Sequence, residues 1–246
     1  NIGSEVLDGI SLAIQDAGPQ APRVDLIVTD DRGDPEVARA IARHTAAGDA
    51  IVVMGPSLSV VATRVELIYA EAGLAALSPN IATEEATGIF RLNMGLRHVG
   101  ESLADYLHYA LAGKRAALIY SDDGLGQPIA RGFKHGAERL GLVASYHPVV
   151  GAEDIIAAAK RIADDPGRPA VIFGMLETQA VPAIKLLKRA GMSGPLLGIQ
   201  SFAYGDFARL FAAEPEERAN PGFFTGGLYA ASSLLFDSGN AALLAF

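Results

Sequence analysis

Short runs of aliphatic and β-branched residues alternate along the chain with longer stretches of helical spacing. The runs are Leu26-Ile27-Val28, Ile51-Val52-Val53-Met54, Leu74-Ala75-Ala76-Leu77, Ala117-Leu118-Ile119-Tyr120, Ala170-Val171-Ile172-Phe173 and Leu196-Leu197-Gly198-Ile199. They are apolar throughout rather than at alternate positions, as strands buried on both faces of a parallel sheet require. Between them, residues 35–47, 59–72, 97–112, 126–140, 153–164 and 178–190 carry apolar positions at helical intervals. Asp34 before Pro35 reads as an N-cap with proline at the first helical position. Gly73, Gly113, Gly141 and Gly191 stand where helices should stop.

Strand and helix alternating at this rhythm predict right-handed crossovers and an α/β fold. One doubly wound sheet or two smaller sheets would bury the same pattern, so periodicity leaves both open. Residues 89–94 follow the run at 74–77 after a short loop and read as extended chain, at a sheet edge or the approach to a hinge. Residues 5–17 read as a helix burying Val6, Ile10, Leu12, Ala13 and Ile14, with no strand to feed it. The stretch 228–240 passes from a helix-like opening to a turn signature.

Composition narrows the function classes. Of 246 residues, 50% are hydrophobic and 20% charged, which supplies a core and excludes a disordered chain. Asp and Glu outnumber Lys and Arg by 28 to 20, and a net charge of -8 argues against a nucleic-acid partner. The absence of cysteine excludes disulfides, thiol catalysis and thiolate metal sites. No apolar run approaches the length of a membrane span. The chain opens on Asn1 rather than Met, as expected of a processed or trimmed terminus whose gene could encode a signal peptide.

No nucleotide-binding, zinc-protease, nucleophile-elbow or calcium-loop signature occurs. Gly55-Pro56-Ser57-Leu58-Ser59 follows a buried strand and opens a helix, placing it at the carboxyl edge of a sheet, where open α/β folds bind ligands. Ser57 and Ser59 there either cap the helix alone or cap it and also contact a ligand. Ser78-Pro79-Asn80-Ile81-Ala82-Thr83 occupies the equivalent place after the next strand. Two such strand ends suggest a site of short-range hydrogen bonds to a small polar solute, without an activated nucleophile. Asp30-Asp31-Arg32-Gly33-Asp34 reads as a tight turn with Asp34 as cap, with metal or ribose binding as the alternative. Ser121-Asp122-Asp123-Gly124-Leu125-Gly126 has the same character in the second half. His44, His98, His108, His135 and His147 show no ligand spacing, so no metal and no cofactor are expected.

In order along the chain, these segments resemble the type I periplasmic solute-binding proteins, specifically the branched-chain amino-acid receptor group of ABC transporters. The resemblance is carried by Gly9–Ile14, Asp30–Pro35, Met54–Ser59, Leu77-Ser78-Pro79 with Ile89-Phe90-Arg91, and Ala117–Gly126. It implies two Rossmann-like lobes of parallel sheet flanked by helices and closing on a solute. The lobes are expected at 1–113 and 114–226, with 227–246 a return segment and late hairpin. The family's ligand positions correspond to Ser59 and the backbone around Ile81 and Ala82 in lobe one, and to Leu125, Leu176 and Gln200 in lobe two; Ser57, Asn80, Thr83 and Met175, beside them at strand ends, complete the candidate ligand-binding set.

Leu125 stands where amino-acid binders usually carry tyrosine, Gln200 where an acidic residue often meets the ammonium, and Ala82 where threonine is common. A zwitterion's amine would be poorly paired there, which argues for an organic or aromatic acid, or an amino-acid-like compound, whose carboxylate uses Ser59. The resemblance also implies periplasmic or extracytoplasmic location, an ABC permease as partner, a monomer or weak dimer, and no enzymatic activity. A ligand-sensing or regulatory extracellular domain is the alternative output. The family begins with a strand ahead of the first helix, and Leu235–Asn240 resembles a hairpin that normally comes after further elements, so residues are expected to be missing.

Overall fold

The structure, a computed structural model, describes residues 2–56, 59–78, 89–92, 94–203 and 206–231. The chain divides into two compact units, Asn1–Gly95 and Leu96–Phe246.

The first unit contains helices α1 (Ile2–Asp16), α2 (Pro35–Ala46) and α3 (Ser59–Glu71), and strands β1 (Val52–Met54), β2 (Ala75–Ser78) and β3 (Ile89–Arg91). The three strands form a parallel sheet in the order β1-β2-β3. Helix α2 starts as its sequence dictates. The Asp34 carboxylate accepts from the amides of Glu36 and Val37 at 2.8 and 3.3 Å, and Pro35, which has no amide to satisfy, opens the first turn. Asp30 and Asp31 accept from the amides of Arg32 and Gly33 at 2.8 and 2.9 Å, the turn reading of that acidic run. The core is small: Ala38 and Ala42 of α2 and Val61, Ala62, Val65 and Tyr69 of α3 gather with Leu74, Ala76 and Ile89.

Two expectations for this unit change. Residues 22–31 enter no strand, and Ile27 is 83% exposed, because an apolar run becomes a parallel strand only beside a neighbour that takes its hydrogen bonds. Helix α1 forms, but the apolar positions on it remain half-buried or exposed, with Ile14 at 38%.

The second unit contains α4 (Leu96–Asp105), β4 (Arg115–Ser121), α5 (Gly126–Leu140), β5 (Val143–Val149), α6 (Ala152–Ala163), β6 (Ala170–Gly174), α7 (Glu177–Arg189), β7 (Leu196–Gly198), α8 (Pro215–Ala219) and β8 (Leu228–Ala230). Its five strands are all parallel, in the order β5-β4-β6-β7-β8. Strand β6 is buried at every residue, as its unbroken apolar run required. Strand β5 had no such run. It lies at the sheet edge, alternates exposed with half-buried positions over Val143–Tyr146 and buries Val149 at its end. Residues 228–230, which read as the start of a helix, form edge strand β8.

Helix α4 continues through Tyr106–Ala110 in wider turns, with the Leu111 amide donating to the Tyr106 carbonyl at 3.2 Å, and Ala112 at φ 50° ends it one residue before the expected glycine. Helices α4 and α5 pack at unusually close range. A Cβ on Gly132 would collide with the Arg97 backbone, and one on Gly100 with the Ile129 backbone, so each helix presents a glycine where the other passes. A file of phenylalanines runs through the core: Phe173, Phe202, Phe207, Phe211, Phe224 and Phe223, with successive ring centroids 4.9–5.9 Å apart. Arg189 caps it, 5.6 Å above the Phe224 ring, and is itself held by Glu214 and Glu216 at 2.7 and 2.6 Å. These two ion pairs pin the α8 region to α7.

Candidate functional site

The topology of the second unit defines one privileged place. Strand β4 is followed by α5 and then by β5 on one side. From β5 the chain crosses back through α6 to β6 on the other side of β4. Right-handed crossovers in opposite directions place α5 on one face of the sheet and α6 on the other. Helix α7 continues in the direction of α6 and packs against it, while α5 packs against α4. The loops leaving β4 and β6, adjacent strands in register at Tyr120 and Gly174, therefore part to opposite faces. That divergence opens a crevice at the carboxyl ends of the strands, the general ligand position in open α/β sheets.

The residues anticipated for this unit lie in the segments that follow these strands and their neighbour β7. Leu125 sits at the start of α5, partly buried against the core, and its amide donates to Asp123 Oδ1 at 2.9 Å. Met175, directly after β6, is fully buried. Leu176 takes the extended N-cap position of α7 with its side chain 46% exposed, and its amide donates to Gln179 Oε1 at 3.2 Å. Gln200 follows β7, the next strand along, and opens a 3₁₀ turn, Gln200–Ala203. Four positions from three separate stretches thus lie on the ends of β4, β6 and β7.

The structure adds a pocket of about 130 Å³ beside them, lined by Ser121, Asp122, Asp123, Val149, Val150, Ile155, Met175 and Gln179. Asp123 organises its rim. Its Oδ1 accepts from the Ser121 hydroxyl at 2.7 Å and from the amides of Leu125 and Gly126, both at 2.9 Å. Burial pushes this carboxyl up, but the Gly126 amide, the Ser121 hydroxyl and the Leu125 amide together hold it below its ordinary value. Ser121 is buried with its hydroxyl so engaged. Val149 and Val150 carry no sequence signal of their own, because the edge strand that delivers them has no continuous apolar run, whereas Ile155 lies in the expected helix at 153–164.

In the first unit, the carboxyl ends of β1 and β2 are tied together. The Gly55 amide donates to the Leu77 carbonyl at 2.7 Å, and the buried Ser78 hydroxyl donates to the Pro56 carbonyl at 2.6 Å. Helix α3 starts at Ser59, beyond this junction, so its N-terminus is at the carboxyl edge of the sheet, as anticipated. Ser57, Asn80, Ile81, Ala82 and Thr83 lie outside the described residues. Among the described residues no cluster of His, Asp and Glu could hold a metal ion, and no helix is long and apolar enough to cross a membrane.

Residues 1–241 match the family model described as periplasmic binding protein. The chain belongs to that family. It is a family of solute-binding receptors, and its type I fold is the α/β arrangement described above. Among curated relatives, the chain is 26% identical over 205 residues to an amino acid binding protein of Pseudomonas aeruginosa, covering 78% of this chain and 54% of that one. It is 24% identical over 207 residues to Leu/Ile/Val-binding protein homolog 3 of Brucella melitensis, covering 80% of this chain and 56% of that one. An ABC transporter substrate-binding protein from Desulfitobacterium hafniense, solved in complex with Leu, superposes with a TM-score of 0.68 at 22% identity, covering 82% of this chain and 63% of that one. The chain spans about half the length of the curated relatives it matches.

Proposed function

We propose that this chain captures a small carboxylate-bearing solute outside the cytoplasmic membrane and delivers it to an ABC permease. The observation that carries the reading is the convergence of Leu125, Met175, Leu176 and Gln200 on the ends of adjacent strands in a chain of this family. The surroundings in this reading hold a ligand by burial and hydrogen bonds, and the output is binding. In this reading the N-terminus of α3, with Ser57 and Ser59, receives the solute's carboxylate, because helix amides and dipole favour an anion. Asn80, Ile81, Ala82 and Thr83 are further candidate contacts in the first unit.

The names of the relatives favour an amino acid as solute. Leu125 and Gln200 favour a body less polar than a zwitterion, such as an organic or aromatic acid, since neither supplies a charge for an ammonium group. A thermal-shift screen across amino acids, aliphatic acids and aromatic carboxylates decides between them, because a ligand bound only by the folded protein raises Tm. Stabilisation by aliphatic or aromatic acids is expected, and strong stabilisation by leucine or valine alone would overturn the reading of Leu125 and Gln200. Ser59→Ala should weaken the bound solute by about 1–3 kcal/mol, read by calorimetry. Unchanged affinity would reduce Ser59 to a helix cap.

A further inference from the structure

The pocket beside β4 contains two adjacent aspartates with different duties. Asp123 is committed to the fold: one of its oxygens accepts three donors at the start of α5. Asp122 is exposed, and among the described residues its side-chain partner is Gln127, whose amide donates to Oδ1. Its second oxygen is left to accept from a solute. Among the described residues neither aspartate forms an ion pair, so the charge of Asp122 stands at the pocket uncompensated by Lys or Arg. On another wall, Gln179 spends its carbonyl oxygen on the Leu176 amide, which leaves its NH₂ group as a donor to the pocket. Val149, Val150, Ile155 and the buried Met175 provide the apolar remainder.

A volume of about 130 Å³ is below the ~300–1,000 Å³ of a complete small-molecule site, so the pocket fits one end of a solute rather than all of it. A carboxylate there would face the like charge of Asp122. An apolar end would displace water from Asp122 and Gln179, both exposed, without replacing the hydrogen bonds lost. A carboxamide satisfies both, its N–H donating to Asp122 and its carbonyl accepting from Gln179.

We propose that this pocket is a subsite for the uncharged, N–H-bearing end of the solute, a carboxamide or similar group, and that Asp122 is the residue that selects it and rejects a carboxylate. The proposal rests on the solute-binding reading above and specifies the far end of its ligand. The test compares adipamate, adipate and hexanoate, which share one carboxylate and differ at the other end, by calorimetry on the full chain. Adipamate should bind about tenfold tighter than adipate, a preference that falls toward unity in Asp122→Asn, which keeps the shape and removes the charge. Gln179→Glu, which preserves the acceptor for Leu176 and replaces the donor by a carboxylate, should weaken adipamate and weaken adipate further. Equal binding of adipamate and adipate, or a preference unchanged in both variants, overturns the subsite while leaving solute binding intact. Stabilisation by hexanoate but by neither adipamate nor adipate also overturns it. If no member of this series and no carboxylate of the wider screen binds, the functional reading itself fails.

Discussion

The two sheets present similar sequence patterns to very different surroundings. In the second unit, β6 is flanked by β4 and β7 and covered by helices, and Phe173 and its neighbours in the strand are fully buried. In the first unit, β1 pairs with β2 alone among the described strands, Ile51 is 90% exposed and Val52 is 42% exposed. Ile51-Val52-Val53-Met54 is as apolar as Ala170-Val171-Ile172-Phe173. An apolar run therefore specifies a tolerance for burial on both faces, while the burial itself is delivered by neighbours in space. The same residues that stabilise one sheet are surface in the other, and their energetic weight should differ accordingly.

The largest effect should come from Phe173→Ala, which empties a ring-sized volume in the second core and should cost about 3–5 kcal/mol in chemical denaturation. A loss below about 1 kcal/mol would mean that the sheet relaxes around the gap and that the contrast between the units is overstated. Next is Gly132→Ala. The added methyl meets the Arg97 backbone, which cannot rotate away, and separating α4 from α5 should cost about 1–3 kcal/mol.

Asp123→Ala should cost about 1 kcal/mol at neutral pH, in the range of a lost helix cap. The folded-state pKa of Asp123 is lowered, so its contribution is fully present above its ordinary value of 3.8 and is lost as pH falls through the folded value. The gap between wild type and variant should therefore close in acid, and a gap constant with pH would show that the carboxylate charge is immaterial. The smallest effect belongs to Ile51→Ser, within about 0.5 kcal/mol if the side chain is as exposed as it stands. A loss several times larger would show that something covers β1 in solution and would erase the difference between the sheets.

Much of the fold was legible because its signals are local. Helix starts with Asp34 and Pro35, helix stops such as Gly141 in the left-handed conformation, and the continuous run of β6 each follow from a few neighbouring residues. What escaped depends on position in the sheet. Strand β5 contains Ser145, His147 and Pro148 because an edge strand faces water on one side, and that mixture resembles a loop. Residues 26–28 have strand composition without a ladder to join. The site divides in the same way. Leu125, Leu176 and Gln200 were expected from the family resemblance and Met175 from its place after a strand, and Asp122 and Asp123 were read as a turn. Val149 and Val150 reach the pocket through the end of β5, Ile155 through the first turn of α6, and Gln179 through the first turn of α7. No short motif marks any of them.

The file of phenylalanines makes the second unit spectroscopically legible. The chain has no tryptophan, so the weak near-ultraviolet circular dichroism of phenylalanine is not swamped by indole bands. Phe173, Phe202, Phe207, Phe211, Phe224 and Phe223 all belong to this unit, whereas Phe90 of the first unit is 60% exposed and lies in no comparable stack. Sharp vibronic structure in that region should therefore report the packing of the second core almost alone, and its loss while the helical signal persists would mark a loosening confined to that half of the chain. Phe202 lies within the turn Gln200–Ala203, so a solute that tightens this turn should sharpen those bands without any label.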